Sequence, residues 1–126
     1  MKTKIQTSKA SKAIGPYSQA IMSGKFVFTS GQIYLTPDGK LVEGTIEEQT
    51  HQVMKNLKAI LEEADTSFQD VVKSTMFVTD MTDFGKINIV YKSYMSEPYP
   101  ARETVEVKGL PLGVRIEISM VAIKPE

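Results

Sequence analysis

The ten residues from Val114 to Ile123 change character at every step. Val114, Ile116, Ile118, Met120 and Ala122 fall on one side, and Arg115, Glu117, Ser119, Val121 and Ile123 on the other. Only an extended chain sends alternate side chains to opposite faces, so this segment reads as a strand with one wholly apolar face. A second pattern constrains what covers that face. Thr45-Ile46-Glu47-Glu48 fits a capping box, with threonine at the cap and glutamate three residues on. Behind it, Ile46, Val53, Met54, Leu57, Ile60, Leu61 and Ala64 recur at helical spacing, and Glu47, His51, Lys55, Lys58 and Glu62 take the opposite side. The spacing predicts a helix that ends near Ala64 or Asp65.

The rest of the chain fills in around these two elements. Ile5 is placed on a short first strand. Gln19 to Met22 and Lys25 to Ser30 read as a hairpin turning at Ser23-Gly24, Ile33 to Leu35 continues outward, and Thr36-Pro37-Asp38-Gly39 is a turn. Ser67-Phe68-Gln69-Asp70 fits a single turn. Val71 to Val78 is rich in β-formers and reads as a strand. Asp80 or Asp83 caps a second helix whose apolar face is Phe84, Ile87, Tyr91, Tyr94 and Met95 and which stops at Pro98. Arg102 to Val107 alternates as a strand does. The order strands, helix, strand, helix, strands predicts an α+β domain spanning residues 1–126, with one mixed sheet and both helices on one side. The other sheet face is expected to carry Thr75, Arg102, Thr104, Glu117 and Val121. That mixture is too apolar for open water and too polar for an ordinary core, so a closed oligomer packing these faces together is expected, with a ligand cleft between subunits.

Charge and composition exclude several classes of function. Acidic and basic residues balance at 15 each, which argues against nucleic acid as a main partner, because phosphate binding needs a basic face. The absence of cysteine excludes disulfides, thiolate nucleophiles and zinc-thiolate sites. No apolar run is long enough to span a membrane, and Met1-Lys2-Thr3-Lys4-Ile5 does not read as a signal peptide. A soluble, cytoplasmic protein is the default expectation. His51, the single histidine, falls on the polar helix face, so neither a histidine triad nor a metal cluster is expected.

Three stiffened segments carry the candidate chemistry. In Tyr99-Pro100-Ala101-Arg102-Glu103-Thr104 the proline restricts the backbone just ahead of Arg102, whose planar fork of donors suits a carboxylate or phosphate. Gly15-Pro16-Tyr17-Ser18-Gln19-Ala20 and Thr29-Ser30-Gly31-Gln32 are the other two. A fold that brings all three together has a small anion site.

Those segments also carry a resemblance. Ala13-Ile14-Gly15-Pro16-Tyr17-Ser18-Gln19-Ala20, Ser30-Gly31-Gln32-Ile33, Glu48-Gln49-Thr50-His51-Gln52-Val53 with Asn56-Leu57, Pro100-Ala101-Arg102, Val105-Glu106-Val107 and Val114-Arg115-Ile116-Glu117-Ile118 occur in an order and spacing specific as a set. On them the chain resembles, end to end, the Rid family, the reactive-intermediate deaminases also known as YjgF-like proteins. The resemblance implies a chorismate-mutase-like fold, a six-stranded sheet backed by two helices, and a homotrimer closing into a barrel with clefts between neighbours. It implies hydrolysis of 2-imino acids and their enamine tautomers to 2-keto acids and ammonia, without a cofactor. The family's carboxylate-binding arginine matches Arg102. The glycine whose backbone N–H holds the same carboxylate matches Gly31, its neighbouring serine Ser30, the cleft aromatic Tyr17, and the asparagine of the second helix Asn88. Two positions depart from the archetype. Thr104 stands where a cysteine is usual, and Ser119 where a glutamate usually ends the Ile-Glu-Ile-Glu stretch and helps to position the attacking water.

Each residue also has a plainer reading. Taken alone, Arg102 reads as an interface salt-bridge arginine, and Ser30-Gly31 as turn chemistry. Tyr17 reads as packing, Asn88 as a helix-surface amide, Thr104 and Ser119 as strand hydroxyls, and Glu117 as a structural carboxylate in preference to a remote proton acceptor. Functionally, an imine hydrolase using Arg102, Tyr17, Thr104 and Ser119 stands beside a non-catalytic regulatory trimer that binds small carboxylates in the same cleft. The two substitutions favour the second reading somewhat. RNA cleavage is a third reading, and the balanced charge argues against it.

Overall fold

A computed structural model describes all 126 residues. The chain runs β1 (Lys2–Ile5), β2 (Ala20–Ser23), β3 (Phe26–Thr29), α1 (Ile46–Glu63), β4 (Val71–Val78), α2 (Phe84–Tyr94), β5 (Ala101–Glu106) and β6 (Ile116–Ile123). The strands form one six-stranded sheet in the order β1-β2-β3-β6-β4-β5. All pairings are antiparallel except β4 with β5, which are parallel because α2 crosses between them. The α+β architecture expected from the sequence is the one observed.

The core lies between one sheet face and the two helices. Every apolar residue assigned to the buried side of α1 is buried, as is the whole Val114-to-Ala122 face of the last strand. Thr45 caps α1 reciprocally with Glu48, an arrangement worth about 1 kcal/mol. Asp80 caps only a short 3-10 turn, Met81–Asp83, that leads into α2. Val90 joins the buried side of α2, while Ile89 is exposed. The helix ends at Tyr94, short of Pro98, because Met95 is already extended.

Three local expectations change for identifiable reasons. Ile33 to Leu35 is not a strand. The fully buried Asn56 amide donates to the carbonyls of Ile33 (3.1 Å) and Leu35 (2.8 Å), so those acceptors bind α1 rather than a neighbouring strand. The last strand begins at Ile116 rather than Val114. The Val114 N–H closes a turn on Pro111 O, and the Arg115 N–H is taken by the Tyr34 hydroxyl at 3.0 Å. The hairpin between β2 and β3 turns on Gly24-Lys25, with Gly24 at φ 59°.

The larger correction concerns β5. Arg102 and Thr104 were expected on the open sheet face with Thr75 and Glu117. The parallel register sets Arg102 beside Ser74 and Thr104 beside Met76, both buried on the helix side. Glu106, two residues on, accepts from the Met81 N–H just ahead of α2. The open face instead takes Glu103, which pairs with Lys73 at 2.6 Å, and Val105. Also on that face are Phe26, Phe28, Thr75, Ser119 and Val121. Two non-glycine residues have positive φ, Asp65 (56°) just past the end of α1 and Leu112 (58°) in the β5–β6 connection. Each such conformation costs roughly 1–2 kcal/mol.

Candidate active site

Arg102 is the second residue of the edge strand β5, and its side chain turns back onto α2. Its guanidinium carbon lies 5.2 Å from the Phe84 ring centre and 5.1 Å from that of Tyr91. One terminal nitrogen donates to Asn88 Oδ1 at 2.7 Å. Phe84, Asn88 and Tyr91 are spaced by four and three residues on α2, so they form one face that holds the fork by its flanks. Tyr91 is itself anchored, its hydroxyl 2.9 Å from that of the buried Ser74. Burial pushes the Tyr91 phenol above its ordinary pKa, against the opposing pull of the Ser74 bond and the Arg102 charge. It therefore stays neutral beside the cation. Arg102 forms no ion pair, so the salt-bridge reading has no partner within the protomer. Its remaining donors open onto a cleft of about 410 Å³ lined by Asn88, Tyr91, Lys92, Tyr99 and Pro100 among others.

A second cavity, about 280 Å³, gathers Tyr17, Gly31 and Glu117 with an apolar wall that includes Ile14 and Leu112. Apart from Glu117 on β6 its walls are mostly loops, and buried amides fix them. Gln19 accepts from the Thr7 N–H and donates to the carbonyls of Thr7 and Ser11, which holds the N-terminal loop. Asn56 holds the 33–35 segment as described. The Ile14 N–H donates to the Tyr17 hydroxyl at 3.3 Å. Gly15, at φ 116°, adopts backbone angles that favour glycine. Gly31 has no such φ, so turn chemistry does not account for it. A Cβ there would lie 2.5 Å from Glu117 Cδ and Oε2. The Glu117 side chain thus occupies the space that a Cβ at position 31 would take.

Glu117 is the functional candidate for which sequence reasoning preferred a structural role over that of a remote proton acceptor. It is half-buried, and burial raises its pKa above the ordinary value with no hydrogen bond or ion pair to offset the shift. An unpaired, partly desolvated carboxylate in a cavity is suited to proton transfer. Its signal in the sequence was weak, a glutamate on an alternating strand. Ser119, where the resemblance expected a carboxylate, pairs with Thr75 on the open face and lines neither cavity. Thr104 lies on the helix side, across the sheet from Ser119, so the two hydroxyls cannot share one water within a protomer. The Ser30 hydroxyl donates to Ser18 O and pins the Tyr17 loop to the end of β3. His51 is exposed, but its Nδ1 lies 2.9 Å from the Tyr94 hydroxyl and joins α1 to α2. No group of three or more His, Asp or Glu side chains is arranged to hold a metal ion.

The two cavities share no lining residue. Gly31 flanks β3, and β6 and β4 separate it from β5, so three strand spacings, about 14 Å, lie between it and Arg102. One protomer cannot grip a small acid with both.

Comparison with known proteins bears on this arrangement. A family model described as endoribonuclease L-PSP matches residues 7–124. A RutC family protein of Pyrococcus abyssi is 53% identical over 95% of each chain. The human 2-iminobutanoate/2-iminopropanoate deaminase is 45% identical over 95% of this chain and 88% of its own. The chain belongs to the Rid family. Its fold is that of solved Rid-type structures. Escherichia coli TdcF with bound serine superposes with a TM-score of 0.92 at 39% identity, covering 98% of this chain and 99% of that one. No helix of this Rid chain is long and apolar enough to cross a membrane.

Proposed function

We propose that the chain hydrolyses 2-imino acids and their enamine tautomers to 2-keto acids and ammonia, in a homotrimer whose clefts join the two half-sites of neighbouring protomers. Arg102 of one protomer and the Gly31 N–H of the next bind the carboxylate. The observation that carries this reading is the unpaired Glu117 carboxylate resting on Gly31. A carboxylate group bound at Gly31 brings the electrophilic C2 within reach of a water held by Glu117. Glu117 takes a proton from that water as its oxygen adds to C2 of the protonated imine. It then returns that proton to nitrogen, and as the C–N bond breaks and ammonia leaves, the free carboxylate takes the remaining hydroxyl proton and the C=O forms. The imine is already a strong electrophile, so orientation and one proton shuttle suffice. The exposed Phe26, Phe28, Val105 and Ile123 on the open face supply apolar surface for the trimer contacts. Small acids fit a site with one free arginine, and the serine bound by TdcF and the deaminase name of the human relative support that class. The Thr104 and Ser119 substitutions favour a purely regulatory reading, and a carboxylate at position 117 supports hydrolysis against it.

The test couples purified protein to a threonine dehydratase and threonine. Release of 2-oxobutanoate is expected to outpace the buffer reaction in proportion to added protein. No acceleration at high protein concentration rejects the proposal, and RNA cleavage that survives Arg102→Ala would point to another activity. Gly31→Ala checks the inner geometry. The added Cβ displaces the Glu117 side chain, whose flexible end can move, so kcat/KM is expected to fall roughly 10- to 100-fold with little change in melting temperature. Combining it with Glu117→Gln is expected to cost little more than Glu117→Gln alone, since both changes act on one group.

A further inference from the structure

Leu112 is the wrong residue for its backbone. The Gly113 N–H bonds to Leu110 O at 3.1 Å and the Val114 N–H to Pro111 O at 3.2 Å, so Leu112 is the third residue of one tight turn and the second of the next. Its φ is 58° and its ψ 18°. Glycine or asparagine is favoured at both turn positions when φ is positive. Packing within the protomer does not explain the leucine, because the side chain is 67% exposed. It does line the cavity that holds Tyr17, Gly31 and Glu117, together with Ile14, which is 78% exposed. Two aliphatic side chains thus stand open to water beside the one unpaired carboxylate of the site.

We propose that Leu112, with Ile14, is a specificity-determining contact that receives the aliphatic side chain of the substrate and so favours branched or long-chain 2-imino acids over short ones. This rests on the hydrolase reading. A substrate held by its carboxylate with C2 facing Glu117 projects its remaining substituent into the same cavity. The strained leucine is retained there for what it touches in the complex.

The test uses Leu112→Gly and Leu112→Asn, both of which suit the observed φ. Imines are generated in place from leucine and from alanine by an amino-acid oxidase, and kcat/KM is compared between them. The variants are expected to lose roughly 10-fold or more on the leucine-derived imine. They should stay within about twofold on the alanine-derived imine and melt no lower than wild type. Calorimetric Kd values for 4-methyl-2-oxopentanoate and pyruvate are expected to shift in the same ratio. Equal losses on both substrates, an altered oligomeric state with an unchanged ratio, or no change at all would overturn the assignment. If wild type turns over neither imine, the hydrolase reading fails, and the ratio of the two Kd values still decides the role of Leu112.

Discussion

Arg102→Ala is expected to lower kcat/KM for imine hydrolysis by about 10² to 10⁴ and to weaken binding of 2-oxobutanoate similarly. A carboxylate gripped by a guanidinium fork gains two charge-assisted hydrogen bonds, each worth about 1.5–3 kcal/mol. Both bonds vanish with the side chain that Phe84, Asn88 and Tyr91 hold in place. The fold is expected to survive. Arg102 is exposed on an edge strand and contributes one hydrogen bond and two ring contacts, the latter worth about 0.5–1 kcal/mol at exposed sites. Thermal melts beside the coupled assay separate the two effects. Arg102→Lys keeps the charge but loses the planar fork, so it is expected to recover only part of the loss. Turnover within about threefold of wild type in Arg102→Ala, with the fold intact, would remove the arginine from the site.

Glu117→Gln is the second large effect, and it separates activity from stability. The variant keeps the shape of the side chain but cannot accept a proton from water, so kcat is expected to fall by about 10² to 10⁴. The pH dependence follows from the direction of the shift. Burial raises the Glu117 pKa above its ordinary 4.5, so the folded protein holds this proton more tightly than the unfolded chain does. Stability is therefore fullest while both states are protonated, below the unfolded pKa. It declines as pH rises from there through the raised folded pKa, where the chain must carry a partly buried charge. Glutamine never bears that charge. The variant is expected to melt at or above the wild-type temperature at neutral pH and to lose this advantage in acid. In wild type, kcat/KM is expected to climb through the same raised pKa as the carboxylate becomes available as a base, a limb absent from the variant. A variant both less stable at neutral pH and unchanged in activity would return Glu117 to a structural role.

The elements were largely legible because their signals are local. α1 and β6 each have one period and one phase whose apolar side is buried, so both their type and their inward face follow from the sequence. β5 was legible as a strand but not in phase. Arg102, Thr104 and Glu106 on one side and Glu103 and Val105 on the other are equally mixed, and only pairing with β4 decides which side meets α2. Ile33 to Leu35 looked like a strand because nothing local shows that a distant asparagine takes its carbonyls. The resemblance pointed to Arg102, Gly31 and Tyr17, and the structure puts Arg102 in one cavity and Gly31 with Tyr17 in the other. It directed attention to Ser119 for the carboxylate, whereas the contact on Gly31 comes from Glu117.

The amino-acid sequence by itself determined where helices and strands form, which faces are apolar, and that the chain offers a stiffened arginine but no thiol. Those are properties of side-chain period, backbone restriction and composition, each written within a few consecutive residues. Only the tertiary structure decided that Arg102 is clasped by α2, that Gly31 yields its Cβ space to Glu117, and that Arg102 and Gly31 line different cavities. Such contacts depend on strand order and register, which arise from how the whole chain packs and have no local pattern to announce them.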